Sequence, residues 1–193
     1  MTADRMNRTR RQFLLNTAAA VACIACDNRS GASAAPAAPA RGSTVTIENF
    51  SAAGESEGTV TVTRVVRSDA EWRELLTPDS YGVTRRAGTE RPFSGKYDRE
   101  KGSGLYRCIC CGTALFDSAT KYDSGTGWPS FWQAISKFNA VEGAGDRFGF
   151  RGAEITCARC DAHLGHVFSD GPRPTGLRYC MNSVALNFVP RGA

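Results

Sequence analysis

Two histidines in 193 residues leave this chain with almost no imidazole. A metal centre built on three histidines is therefore excluded. Long hydrophobic runs are missing too. The modest apolar stretch from Phe13 to Ala25 is broken by Asn16 and Thr17. It falls short of the roughly 20 apolar residues that a spanning helix needs, so no transmembrane anchor is expected. No internal repeat is present, which sets repeat architectures aside. A strong charge of one sign is absent from most of the chain. The net charge is +5, from 24 basic and 19 acidic side chains, but residues 1–34 alone hold five arginines against two acids. The remainder is close to neutral, and a divalent ion on four thiolates would lower it by two more. No broad basic patch for nucleic acid is implied.

What is present begins with the arginines. Thr9-Arg10-Arg11-Gln12-Phe13-Leu14-Leu15 precedes the apolar stretch, and Ala32-Ser33-Ala34 supplies a small-x-small cleavage pattern. Basic, apolar and small-residue regions follow in the order of an export leader. The segment resembles bacterial twin-arginine signals, which implies a periplasmic product. Cys26 before Asp27 leaves a lipid-anchored form open as the minor alternative. Residues 1–34 are thus read as a signal peptide. Residues 35–43, with Pro36 and Pro39, read as a flexible linker, and 44–193 as one folded domain.

The domain reads as α+β and mainly antiparallel β. Thr59–Val66 is β-branched and mostly alternating, which predicts a strand. Ser68 and Glu71 form a capping-box pattern, and Trp72, Leu75 and Leu76 then share one helix face. Thr77-Pro78 starts a second short helix, although Gly82 weakens it. Short strands are expected at Leu105–Cys108, Phe148–Phe150, Glu154–Cys157, His163–Phe168, Tyr179–Met181 and Ala185–Val189.

Eight cysteines are present. Cys108/Cys111 and Cys157/Cys160 are two CxxC pairs, each able to turn both sulfurs toward one point. Together they suit a tetrahedral four-thiolate Zn²⁺ site. The long segment between the pairs means that the ion would clip distant parts of a larger domain, unlike a simple zinc ribbon. Two disulfides or a redox CxxC remain the alternative. A pair as close as Cys108/Cys111 in a turn makes a poor structural disulfide. Cys110 is a spare thiol in the first turn.

Cys180 is left over, between Arg178 and Asn182. A thiol beside a fixed positive charge is a candidate nucleophile, and otherwise it is a small buried hydrophobe. His163 and His166 lie just upstream. On a regular strand i and i+3 face opposite sides, but Gly165 allows a bend that would bring both into one pocket. Beside a thiolate they make sense as acid/base groups. Trp128 sits in the loop Ser124–Phe131, either as a binding surface or as a core plug.

These motifs occur together and in order: Thr89–Phe93, Gly104–Cys108, Ser124-Gly125-Thr126-Gly127-Trp128-Pro129-Ser130-Phe131, His163-Leu164-Gly165-His166-Val167-Phe168 and Arg178-Tyr179-Cys180-Met181-Asn182-Ser183. The chain from about Asp69 to Phe188 resembles the methionine-R-sulfoxide reductases of the B type. The resemblance implies a tent of two antiparallel sheets with short N-terminal helices. It implies that Cys180 attacks the sulfoxide sulfur and becomes a sulfenic acid. Arg178 would stabilise the thiolate, His163 and His166 would donate protons, and Asn182 would donate a hydrogen bond. Trp128, Phe168 and Asp170 would form the substrate site, with Asp170 orienting a histidine. Zinc on Cys108, Cys111, Cys157 and Cys160 would be structural. Oxidised proteins or peptides would be the substrates, and a monomer is expected.

One departure matters. Many members carry a resolving cysteine where this chain has Thr126. Cys23 and Cys26 leave with the leader if cleavage follows Ala34, and Cys110 is tied into a metal turn. Recycling by an external, thioredoxin-like or other thiol is therefore expected. Two other classes stay open on residues alone: a metal-stabilised binding module with an inert Cys180, and a general CxxC oxidoreductase. The first leaves the histidines and Trp128 unexplained, and the second needs cysteines that the metal uses.

Overall fold

A computed structural model describes residues 40–192 of the chain. The leader, 1–34, and most of the linker lie outside the described residues. Thr44–Phe50 (β1) and Ser56–Thr63 (β2) pair as an antiparallel hairpin. The second strand ends three residues earlier than its β-branched run predicts. The N–H of Val65 turns away to the Arg159 carbonyl at 2.8 Å, which anchors the chain on the second cysteine turn.

Helix α1 spans Asp69–Leu75 and α2 spans Pro78–Arg86. The capping box is complete: Ser68 Oγ accepts from the Glu71 N–H, and Glu71 Oε2 accepts from the Ser68 N–H. Thr77 caps α2 at its start, and Ala87, just past its end, adopts a left-handed conformation. Gly82 is tolerated because both ends of α2 are held. The Ser80 hydroxyl also donates to the Val184 carbonyl at 2.8 Å, pinning α2 to the C-terminal part of the chain.

The remaining strands are Gly104–Cys108 (β3), Ala114–Asp117 (β4), Lys121–Tyr122 (β5), Ser130–Phe131 (β6), Ala140–Asp146 (β7), Gly152–Cys157 (β8), His163–Phe168 (β9), Arg178–Met181 (β10) and Leu186–Pro190 (β11). They form a three-stranded sheet in the order β11-β3-β4 and a six-stranded sheet in the order β5-β6-β10-β9-β8-β7. Every pairing is antiparallel. The core lies between these two sheets, as the two-sheet expectation requires. Phe116 of β4 stacks on Phe131 of β6 with ring centres 4.5 Å apart, and Tyr106 of β3 meets Phe131 edge-on at 4.9 Å. All three rings are fully buried. Truncating one such ring costs about 3–5 kcal/mol, so this contact fixes the six-stranded sheet in place.

One expected strand is absent. Phe148–Phe150 forms the turn between β7 and β8, and the two rings are 86% and 100% exposed. The alternation Phe-Gly-Phe mimics a strand. Here Asp146 Oδ1 accepts from the Phe148 N–H, and Gly145 and Gly152 at positive φ close a hairpin turn.

Candidate active site

Strand register builds the site. Cys180 on β10 lies directly opposite Ser130 on β6 and His166 on β9. Tyr122 on β5 lies opposite Ser130, and Glu154 on β8 lies opposite His166. Directly paired residues share a face of the sheet. Tyr122, Ser130, Cys180, His166 and Glu154 therefore form one row across five strands. Two residues along, Arg178 pairs with Phe168 on the same face.

His163 joins this face through a bulge. Ile155 pairs with Gly165, but Thr156 pairs with His163, so Leu164 is the extra residue. The bulge turns an i, i+3 spacing into same-face neighbours, and the two imidazole centres stand 5.2 Å apart. Glycine at 165 is required by close approach: a Cβ there would sit 2.2 Å from the Cys180 carbonyl oxygen. His163 is buried, and its Nδ1 is 2.7 Å from Glu154 Oε1.

That contact corrects one expectation. Asp170 does not orient a histidine. Its two carboxylate oxygens accept from Arg178 Nε at 2.9 Å and Nη2 at 2.8 Å. Asp170 lies just beyond β9, where the partner across the sheet is the start of β10. The guanidinium also lies 4.3 Å from the centre of the Phe168 ring. Glu154 is the carboxylate that holds His163.

A cavity of about 140 Å³ opens onto the row. Thr89, Trp128, Gly165, His166, Phe168, Cys180 and Asn182 line it. Five of the residues expected in the site thus meet there: Cys180, His166, Asn182, Trp128 and Phe168. His163, Arg178 and Asp170 stand outside the lining. Three larger grooves, of about 830, 580 and 160 Å³, are lined by neither cysteine nor histidine.

Glu90 ties the rim together, although its sequence context suggested no role for it. Its N–H donates to Asn182 Oδ1 at 3.0 Å, and its carbonyl accepts from Trp128 Nε1 at 3.2 Å. Its carboxylate accepts from the N–H groups of Ser183 and Val184 at 2.7 and 3.0 Å. Asn182 Nδ2 donates to the Leu164 carbonyl at 3.1 Å. The carboxamide thus fixes the bulge, and one of its two N–H donors remains for the cavity.

The electrostatics set burial against the charge of Arg178. Burial pushes the Cys180 thiol up, against the opposing effects of the Thr126 hydroxyl and the Arg178 charge. Arg178 is already engaged by Asp170, so its pull on the sulfur is weakened. His166 is pushed down by burial first and by His163 second, with Glu154 opposing, so it is a neutral imidazole at pH 7.

The other four expected ligands meet away from the cavity. The sulfurs of Cys108, Cys111, Cys157 and Cys160 all lie within 4.8 Å of one another. Cys108–Cys160 and Cys111–Cys157 approach to 3.6 and 3.5 Å, and all four thiols are free of disulfides. A tetrahedral four-thiolate site with metal–sulfur bonds of about 2.3 Å has sulfurs about 3.8 Å apart. The donor set therefore fits a soft divalent ion. One turn is used twice. The Cys108 N–H donates to the Thr113 carbonyl and the Gly112 N–H to the Cys108 carbonyl, while the Cys157 N–H donates to Ala162 and the Asp161 N–H to Cys157. Gly112 and Asp161 occupy matching positions at φ 75° and 53°.

Residues 76–190 match the SelR domain family. The peptide methionine sulfoxide reductase MsrB of Pseudomonas putida is 59% identical over 121 residues, covering 63% of this chain and 92% of that protein. MsrB of Pseudomonas fluorescens is 59% identical over the same length, covering 93% of its own chain. MsrB of Pseudomonas syringae is 58% identical and is covered to 92%. A half-buried thiol facing a neutral imidazole on an antiparallel sheet, with a separate four-cysteine clip, defines a thiol-dependent oxidoreductase site. The chain belongs to the MsrB family of methionine sulfoxide reductases. The β1–β2 hairpin and α1 precede the matched segment.

Proposed function

We propose that this chain reduces the R-epimer of methionine sulfoxide, chiefly in proteins and peptides, to methionine. The observation that carries the reading is the sharing of one small cavity by Cys180, neutral His166, Trp128 and Phe168. Trp128 and Phe168 supply apolar walls for the S-methyl end, a sulfur–aromatic contact. His166 takes the Cys180 proton and delivers it to the sulfoxide oxygen. His163, held by Glu154, fixes the ring beside it, and the free Asn182 N–H steadies the oxygen as charge develops. Arg178, paired with Asp170, borders the site. The sulfur of Cys180 attacks the sulfoxide sulfur, and the oxygen passes to the cysteine as the S–O bond of the substrate breaks. The thiol is oxidised by two electrons to a sulfenic acid, and methionine leaves reduced by two. An external thiol, thioredoxin-like or other, then forms a mixed disulfide and releases water, and a second thiol frees Cys180.

The metal on Cys108, Cys111, Cys157 and Cys160 is zinc in this reading and is structural. When bound it closes the two turns and takes no part in the reaction. The domain spans 44–193, acts as a monomer, and follows a twin-arginine leader to the periplasm. The choice of the R-epimer rests on family membership.

The test is reduction of synthetic peptides carrying each sulfoxide epimer, read by chromatography. Conversion of the R-epimer alone is expected, with its loss in Cys180→Ser at unchanged metal content. Conversion of the S-epimer, or near-normal turnover by Cys180→Ser, sinks the reading.

A further inference from the structure

The position beside the nucleophile carries a hydroxyl, and that hydroxyl does not stand alone. Thr126 Oγ1 lies 3.9 Å from Cys180 Sγ and 2.8 Å from Ser124 Oγ. Ser124 Oγ lies 2.7 Å from Ser130 Oγ, and the Ser130 hydroxyl reaches the Trp128 carbonyl at 3.2 Å. Ser130 is fully buried and sits opposite Cys180 in the ladder.

Each hydroxyl has one proton to give. The chain therefore has two self-consistent settings. In the first, Ser130 donates to the Trp128 carbonyl, Ser124 to Ser130, Thr126 to Ser124, and the Cys180 S–H to Thr126. In the second, Ser130 donates to Ser124, Ser124 to Thr126, and Thr126 to an ionised Cys180 sulfur. Passage between them rotates three hydroxyls and removes no proton from the chain. The first setting suits a thiol and the second a thiolate.

We propose that Ser124 and Ser130 are positioning residues which, through Thr126, supply a hydrogen-bond donor to the Cys180 sulfur only when that sulfur is ionised. The need for such a donor is visible in the site. Burial opposes the thiolate, and the guanidinium that faces it is shared with Asp170. The Trp128 carbonyl gives the chain a resting acceptor, so every hydroxyl donates in both settings and only that carbonyl loses its donor in the second. The inference shares one premise with the proposed function, that Cys180 is the reacting thiol. Its test uses no substrate, so the two can fail separately.

The experiment follows alkylation of Cys180 against pH in the full chain, with the modified residue identified by peptide mapping. The other ionisable groups that face Cys180 are Arg178 on its own strand, His166 on β9 with His163 and Glu154 behind it, Tyr122 on β5, and Asp170 through Arg178. None is changed in the variants, so shifts between variants isolate the hydroxyl chain. Thr126→Val is expected to raise the alkylation midpoint by about one pH unit, the scale of losing one charge-assisted donor. Ser124→Ala, which leaves Thr126 in place but unsupported, is expected to raise it by less. Thr126→Ser should match the wild type. A Thr126→Val profile that overlies the wild type overturns the proposal. So does an unshifted Ser124→Ala profile, or an equal rise in Thr126→Ser, which would show that shape and not the hydroxyl matters. If Thr126→Val loses its metal or its fold, Ser124→Ala and Thr126→Ser decide the question.

Discussion

The Glu154 carboxylate holds His163 Nδ1 at 2.7 Å, and the bulge at Leu164 lets one carboxylate stand behind two imidazoles. Glu154 faces His166 directly across the ladder but spends its hydrogen bond on His163. The buried ring is thereby fixed, and His166 packs against it. Glu154→Ala should lower kcat by about tenfold, a fraction of the 10²–10⁴ that a positioned acid/base group supplies. KM and metal content should change little, and Glu154→Gln should recover most of the loss by keeping an acceptor. Steady-state kinetics of the two variants check this; equal losses in both would show that the charge matters rather than the hydrogen bond.

The depressed His166 predicts a pH dependence of stability with a definite sign. Its folded value lies below the ordinary 6.5. Between the two values the unfolded chain binds more protons, so stability rises with pH in that window. The contribution of His166 is complete above about 6.5, the unfolded value, and is lost as pH falls through the folded one. In His166→Asn, urea unfolding across the weakly acidic range should show a flatter dependence than in the wild type. A variant that loses stability as steeply as the wild type on acidification would place the titration elsewhere.

Metal removal should unmake the clip. Cys157 is buried and contributes one of four sulfurs to a site joining the turn after β3 to the turn after β8. Cys157→Ser removes a thiolate ligand from an ion whose binding energy is folding energy. Loss of the ion and a melting temperature lower by roughly 10 °C or more are expected, at about 2–4 °C per kcal/mol for a chain of this size. Metal analysis and calorimetry read both. A Cys157→Ser protein that binds one ion and melts normally would show the ligand set to be wrong.

The residues that touch the cavity were legible in the sequence, and the ones that support them were not. Cys180, His166, Trp128, Phe168 and Asn182 each sit in short dense motifs, and each lines the cavity. The two CxxC turns were legible because their chemistry is local. Glu90 and Glu154 were missed because their partners are set by tertiary packing and strand register, which spacing does not show. Glu90 meets Asn182 across 92 positions. The resemblance assigned Asp170 to a histidine, whereas strand register gives it Arg178 across the ladder. The balance of forces on the Cys180 sulfur was hidden for a related reason. Local sequence places Arg178 beside Cys180 but shows neither the burial of the sulfur nor the carboxylate already on the guanidinium.

Recycling turns on position 126. Thr126 Oγ1 stands 3.9 Å from Cys180 Sγ, so a side chain there reaches the nucleophile. Cys110, the other cysteine outside the metal set among the described residues, lies in the first metal turn and does not line the cavity. After one turnover without reductant, the oxidised protein should therefore carry a sulfenic acid at Cys180 and no internal disulfide. Its intact mass should rise by one oxygen, and a sulfenic-acid trap should mark the Cys180 peptide. In Thr126→Cys the introduced thiol should attack that sulfenic acid, expel water and leave a disulfide, with a mass lower by two hydrogens. Closing the sulfur–sulfur bond to about 2.05 Å needs a small movement of the loop at Gly125 and Gly127, both at positive φ. A thioredoxin-like donor should then become more effective than a small thiol, because a disulfide has replaced the sulfenic acid as its substrate. A Cys110–Cys180 cross-link in the wild-type peptide map would overturn the direct route and show that the first metal turn opens during turnover.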